Sequence, residues 1–352
     1  MRRLGIALMA LVIAGGAAAV FAWQQLGLAM IAPLDIDEPL ELRVQGGANV
    51  NSVIEGLASD RLISGAFWPR AYVRMNPEMA QIKAGTYTIA PGTNLGELLG
   101  ILVSGQADLD RVTLIEGWTA AQALEALLAH PGVVDDLDVS LQRRTDGVAY
   151  LPLAEQRRLS SALDIDAGFL EGWLFPDTYR FVDGTALSTL LTLAHERMQQ
   201  QLERIWVSRA DDLPLADPYA LLTLASIVEK ETGIESERST IAGVFIRRLQ
   251  KQMRLQTDPT VIYGIGIDYD GDIRRKDLNG DTAYNTYVID ALPPTPIALP
   301  GLASLVAVSQ PKDGTVLFFV ATGAGAGRHI FSTTNAEHEQ AVAAFLKRAG
   351  HR

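Results

Sequence analysis

Hydrophobic positions change their spacing several times along this chain, and each change marks an element. The first stretch has no period. Gly5 to Trp23 is nineteen residues without a charge. As a helix rising about 1.5 Å per residue it approaches the roughly 30 Å needed to cross the apolar layer of a bilayer. Arg2 and Arg3 precede it. The positive-inside tendency keeps them in the cytoplasm, sends the rest of the chain outward and sets Trp23 at the outer interface. A cleavable signal peptide is the competing pattern, because Ala17-Ala18-Ala19 and Val20-Phe21-Ala22 resemble small-residue cleavage sites. The long apolar run, continued to Leu34 apart from Gln24-Gln25, favours a retained anchor over residues 1–31.

Residues 32–39 read as a linker, broken by Pro33 and Pro39. Alternation then predicts a strand over Leu40 to Val44. Helical spacing follows at Val50, Val53, Ile54 and Leu57. Gly85 to Ile89 reads as a second strand, ended by a Pro91-Gly92 turn. Thr93 or Asn94 caps a helix carrying Leu95, Leu98, Leu99 and Leu102, and Val112 to Ile115 is a third strand. Residues 40–115 are therefore expected to form a small α/β module.

Residues 116–352 read as a larger, mixed α+β domain. Thr119 and Gln122 make a capping box for a helix through Leu128, stopped by His130-Pro131-Gly132. Residues 133–165 show little pattern, which predicts irregular structure or short helices. Amphipathic spacing predicts helices over Leu187–Ile205, Pro218 to about Thr232, Ile241–Leu249 and within Leu299–Gln310. Arg247 and Arg248 would complement the dipole of the third of these. Asp268 to Asp281 is a loop. Val316–Ala321 and Arg328–Ser332 read as a hairpin with the glycines of 322–327 in its turn, followed by a helix over Asn335–Ala349.

Composition narrows the chemistry. The 352 residues carry a net charge of −11 and no cysteine. The acidic balance argues against a broad nucleic-acid surface, which needs basic residues. Without cysteine there are no disulfides, thiolate metal sites or thiol nucleophiles. Asp268 to Asp272 departs from a calcium loop, since its glycine falls at the fourth position and not the sixth. His329 and His338 are too far apart for a helical zinc pair. Neither a metal nor a cofactor is expected.

The helix ending in Glu229, Lys230 and Glu231 holds the strongest candidates. Glu229 lies over Ala225 and Leu222, and Glu231 over Ile227 and Leu224, whereas Lys230 lies over Ser226 and Thr223. A carboxyl held on apolar surface has a raised pKa, as a general acid requires. Periodicity leaves both glutamates open, and either can equally be a partner of Lys230, Arg238 or Arg254. Gln256, Thr257, Asp258 and Tyr263 are candidates for the lining of a sugar cleft. The same residues fit a turn at Asp258-Pro259 with ordinary packing of Tyr263. Asn285, in Tyr284-Asn285-Thr286-Tyr287, is a further binding candidate, and the proline-rich Leu292 to Pro296 a rigid wall.

Taken together, ASIVEKET (Ala225–Thr232), Ser236–Arg238, VFIRRL (Val244–Leu249), MRLQTDPTVIYG (Met253–Gly264), YNTY (Tyr284–Tyr287), LPPTPIALPG (Leu292–Gly301), EGWLFPDTY (Glu171–Tyr179) and HIFSTTNAEH (His329–His338) make the chain resemble the endolytic murein transglycosylases, the MltG or YceG-like family. The resemblance implies a single-pass inner-membrane protein with a periplasmic body, a LysM-like module near residues 40–105 and a catalytic domain after it. It implies cleavage of nascent peptidoglycan strands between N-acetylmuramic acid and N-acetylglucosamine, with 1,6-anhydro ends, and an association with peptidoglycan synthases. It places the catalytic role on Glu229, with Gln256, Thr257, Asp258, Tyr263 and Asn285 as substrate contacts. Two other classes stay open: a non-catalytic glycan-binding scaffold, and a hydrolase in which a second carboxylate such as Asp258 activates water.

Overall fold

The computed structural model describes residues 2–166, 168–323 and 327–349. Its elements are mixed α and β and form two compact units, residues 1–111 with 180–185, and residues 112–179 with 186–352.

In the first unit α1 (Arg2–Ile31) is one unbroken helix. It leaves Leu11, Val12, Ile13, Val20, Phe21 and Trp23 exposed. Its stretch from Leu11 to Ile31 is long and apolar enough to cross a membrane. Met30, near its end, is buried with Val44, Ile54, Tyr87 and Leu98 in the core of this unit. Strands β1 (Leu40–Val44) and β2 (Gly85–Ile89) pair antiparallel, Leu40 opposite Ile89. Between them lie α2 (Val50–Ser59) and a helix the pattern did not predict, α3 (Phe67–Met75). Pro69 and two arginines interrupt the apolar period there, yet proline is tolerated in a first helical turn, where its missing N–H has no partner to lose. Asn94 caps α4 (Leu95–Ser104) through a reciprocal box with Glu97. Arg43 pairs with Asp183, which belongs to this unit.

The second unit starts with β3 (Asp110–Thr113), which crosses the boundary between units, and α5 (Ala120–Leu128) with the expected Thr119–Gln122 box. The unpatterned stretch 133–165 contains two-residue strands, of which Gln142–Arg143 and Ala149–Tyr150 pair, and then α6 (Leu153–Ala162). The core lies on α7 (Leu187–Val207), α8 (Pro218–Glu231), α9 (Glu235–Gln250) and α12 (Leu302–Ser309). Asp258-Pro259 opens helix α10 (Asp258–Ile265), because proline suits a first turn. The expected loop 268–281 contains the short helix α11 (Arg275–Leu278). Strands Phe318–Ala321 and His329–Ser332 pair antiparallel, and α13 (Asn335–Ala349) follows. The expected glycine turn lies partly outside the described residues, at 324–326.

Every residue of α8 from Leu221 to Val228 is buried, including Thr223 and Ser226. Such a helix must satisfy its hydroxyls internally. Thr223 donates to the Tyr219 carbonyl at 2.9 Å and Ser226 to the Thr223 carbonyl at 2.7 Å. Ser226 Oγ also accepts the Ile297 N–H at 3.0 Å, which lays the proline-rich segment along the helix. Leu299 then exchanges backbone bonds with Gly117 (2.8 Å) and Trp118 (2.7 Å). Arg247 and Arg248 do more than offset a helix dipole. Arg247 donates to the carbonyls of Lys312 and Val316, and Arg248 to those of Arg254, Leu255 and Leu317.

Gly172 sits under Pro296 with φ +81°, and a Cβ there would stand 2.5 Å from the proline ring. Gly172→Ala therefore combines an unfavourable backbone with overpacking, and should destabilise the second unit by at least about 2 kcal/mol. Thermal unfolding followed by circular dichroism checks this. An unchanged midpoint would mean that the proline wall is not rigidly seated.

Candidate active site

The last turn of α8 leaves the core and aims its three charged residues in different directions. The Glu229 side chain is only 7% exposed. Its Oε2 accepts the Gly301 N–H at 3.0 Å, and its Oε1 lies 3.9 Å from the Arg238 guanidinium. Glu116 is beside it. A Cβ on Gly301 would fall 1.9 Å from Glu116 Oε1, so only glycine lets this carboxylate in. Partial burial, and then the charge of Glu229, hold the Glu116 carboxyl above its usual range. Lys230 Nζ donates to the Gly117 carbonyl at 3.0 Å.

Glu231 has a different setting. The Thr257 hydroxyl donates to its Oε1. Burial pushes its carboxyl up to about 7, against the lowering effect of that hydrogen bond, and the charge of Asp258 adds to the rise. It opens on a cavity of about 570 Å³ whose walls include Gln256, Asp258, Tyr287, Phe318 and His338. Gln256 adopts the left-handed region, φ 53°, rare for a side chain of this kind. Three contacts hold it there. Its N–H donates to the Thr286 carbonyl at 3.1 Å, its Oε1 accepts from Arg248 at 3.3 Å, and the next N–H, of Thr257, donates to Thr286 Oγ1 at 3.0 Å. Tyr287 donates to Asp258 Oδ1 at 2.7 Å. Phe318 and His338 stack with centroids 5.2 Å apart.

The structure therefore regroups the predicted residues. Gln256, Thr257 and Asp258 surround Glu231 and not Glu229. Glu229, the residue expected to be catalytic, is held by the Gly301 backbone donor and lies beside the buried Arg238. Apolar spacing could not separate the two glutamates because α8 is buried on every side, so no stripe marks an open face. Tyr263 belongs to a third cluster. Its hydroxyl donates to Glu171 Oε2 at 3.1 Å and accepts from Gln156 at 3.2 Å. Glu171 Oε1 accepts the Ala120 N–H at 2.8 Å, and burial pushes this carboxyl to about 7. Only about 30 Å³ of space adjoins it. Asn285 has no exposed surface, and its Nδ2 donates to the carbonyls of Asp277, Leu278 and Gly280. It ties a loop together.

Arg248, Phe318 and His338 were not assigned to the site from sequence, and Glu116 and Glu171 were given no role. One signal was present for the last two. Glu-Gly-Trp occurs twice, at 116–118 and 171–173, and both glutamates lie close to the end of α8. Arg248 looked like an ordinary last-turn cation. Among the described residues no group of three or more His, Asp and Glu is placed to hold a metal. Asp270 is instead paired with Arg274 at 2.6 Å. The largest described cavity, about 790 Å³ beside Gly243 and Lys312, is lined by none of Glu171, Glu229 and Glu231.

Residues 42–344 match the model of the YceG-like family. The chain is similar to a protein of Bacillus subtilis (strain 168) named endolytic murein transglycosylase, 27% identical over 332 residues that cover 91% of this chain and 89% of that one. A protein of the same name from Streptococcus pneumoniae strain D39 is 26% identical over 95% of this chain, which spans 63% of that protein's length. The crystal structure of a yceG-like protein from Listeria monocytogenes matches with a TM-score of 0.50 and 26% identity, over 86% of this chain and 99% of that chain. With the family pattern running through both units, the chain belongs to the YceG-like family.

Proposed function

We propose that this protein is an endolytic lytic transglycosylase of peptidoglycan, which cuts the bond between N-acetylmuramic acid and N-acetylglucosamine and uses Glu231 as its acid and base. One observation carries the assignment of Glu231. It is the carboxyl that joins a pKa near 7 to an open, polar and aromatic cavity. The names of the relatives support the reaction class.

The reaction needs a single carboxyl. Protonated Glu231 gives its proton to the glycosidic oxygen as the C1–O bond breaks. The carboxylate then accepts the proton of the muramic acid 6-hydroxyl while O6 bonds to C1. The products are a 1,6-anhydro ring and a free hydroxyl, and Glu231 ends protonated again. The nucleophile is tethered to the reacting sugar, so the step gains from proximity. Gln256 and Asp258 supply hydrogen-bonding groups along the wall, and Tyr287 and Phe318 supply rings for sugar faces. Glu229 acts at one remove, tying the end of α8 to Gly301 and Arg238. Asp258 keeps a second reading alive, because a hydrolase needs a further carboxylate and Asp258 shares the cavity.

On the same reading α1 is a single-pass inner-membrane anchor with the body in the periplasm. The order strand, helix, helix, strand, with β1 and β2 paired, supports a LysM-like module in the first unit. Action on nascent strands beside a synthase rests on the family resemblance.

Two outcomes are expected. Full-length protein incubated with glycan strands should release 1,6-anhydro ends, read by mass spectrometry, whereas reducing ends would favour the hydrolase. Glu231→Gln should lower kcat by about 10²-fold or more, the usual scale for an acid–base residue. Glu229→Gln should lower stability first and kcat by less than about tenfold. Loss of activity in Glu229→Gln alone would return the role to Glu229. The second outcome is a pH profile. The acid must be protonated in the free enzyme, so kcat/KM should fall as pH rises through about 7. Glu171→Gln should keep that descending limb. If the limb vanished in this variant, the titrating group would be Glu171 and not Glu231.

A further inference from the structure

Helix α3 and the end of α1 both expose apolar side chains that the transglycosylase reading leaves unused. The two helices pack together in the first unit. The loop before α3 and Pro69 within it border a cavity of about 480 Å³ with Ala29, Ala32 and Pro33. Met30 is locked into the core, so the last turn of α1 and α3 move as one body.

This surface is apolar where a water-facing one would be polar. Phe67 is 73% exposed and Met75 59%, and on α1 Leu28 and Ile31 are 55% and 67% exposed. Trp68 meets the edge of Phe67, with centroids 5.0 Å apart. At about 100° per residue Phe67, Trp68 and Met75 fall within one arc of roughly 100°. Arg61 and Arg74 are exposed near the same edge and make no ion pair in the described structure, whereas Arg70 is paired with Glu55. Aromatic rings flanked by guanidinium groups, beside the outer end of an apolar helix, match the headgroup layer of a bilayer. Rings favour that depth, and arginine meets lipid phosphate there.

Length agrees. The uncharged run from Leu4 to Leu34 is longer, as a helix, than the apolar layer of roughly 30 Å, so a layer ending near Ile31 still lies wholly on it. If the layer ended at Trp23, Leu28 and Ile31 would stand in water. A layer ending near Ile31 covers them and brings α3 to the lipid surface.

We propose that α3 is an interfacial foot. Phe67, Trp68 and Met75 rest with Ile31 in the outer headgroup layer of the bilayer that α1 crosses, and Arg61 and Arg74 meet phospholipid phosphates. The proposal rests on the reading of α1 as a membrane anchor. It restricts the tilt of the first unit on the membrane, because a helix and a foot make two attachments where a single helix makes one.

The absence of cysteine makes the test direct. Phe67→Cys, Gln106→Cys and Val20→Cys, each made in the full-length chain, receive a nitroxide label. The proteins are placed in vesicles of phosphatidylethanolamine and phosphatidylglycerol, and collision with oxygen and with a water-soluble nickel chelate is measured by electron paramagnetic resonance. The label at position 20 should be accessible to oxygen and shielded from the chelate. The label at position 67 should lose several-fold of its chelate collision rate relative to position 106, and Arg61→Glu with Arg74→Glu should restore part of it. A buried label at position 20 with a fully wet one at position 67 would overturn the foot and leave the anchor standing. A wet label at position 20 would overturn both. Shielding at position 67 that persists in detergent and rises with protein concentration would assign the surface to a second copy of the chain, and would equally overturn the proposal.

Discussion

Complete burial of α8 from Leu221 to Val228 is the constraint on which the second unit depends. A helix enclosed on all sides has no solvent to satisfy its polar groups, so Thr223 and Ser226 must find partners inside. Ser226 finds the Ile297 N–H, and the proline-rich segment is thereby fixed along the helix. That segment carries Gly301 to the helix end, where its N–H meets Glu229. The enclosed helix can place charge only in its final turn, where it leaves the core. Glu229, Lys230 and Glu231 thus stand together for a packing reason before any chemical one.

Three glutamates, Glu171 buried and Glu229 and Glu231 half-buried, lie close to that exit, and their surroundings separate them. Glu229 has a backbone donor and a nearby guanidinium. Glu171 has a backbone donor and a tyrosine hydroxyl, in almost no free space. Glu231 has one hydroxyl and an open cavity. Donors stabilise the charged form of a carboxyl, and burial without enough of them favours the neutral one. Burial pushes both Glu171 and Glu231 up to about 7, and of these two Glu231 is the one that lines a roomy cavity.

Much of this fold was legible in the residues. The Thr119–Gln122 box, the last helix and the two strands of the first unit rest on local signals, and local signals survive tertiary context. The helix Phe67–Met75 was not legible, because its exposed apolar face obscures the stripe that marks a helix against a core. The clustering of Gln256, Thr257 and Asp258 as a polar wall was legible as composition. Their partner was not. The choice between residues two apart on an enclosed helix depends on what faces each of them from distant segments, and neighbours along the helix carry no such information. Asn285 shows the same limit, since a polar side chain that ties three carbonyls has the same letter as one that meets a ligand.

Arg248 extends this reasoning to the whole wall. Its guanidinium bonds the carbonyls of Arg254, Leu255 and Leu317 and the side chain of Gln256, and lies 5.1 Å from the Phe318 ring. One fork of donors thus joins the loop before α10 to the hairpin that supplies the aromatic side of the cavity. Five N–H groups in a rigid plane can do this, whereas a lysine, with a single mobile ammonium, cannot reach so many acceptors at fixed angles. Holding Gln256 in the left-handed region costs free energy, and the Arg248 and Thr286 contacts offset it. The wall opposite Glu231 is therefore held in one arrangement by the protein's own contacts, the pre-organisation that lowers the ordering cost of any binding there.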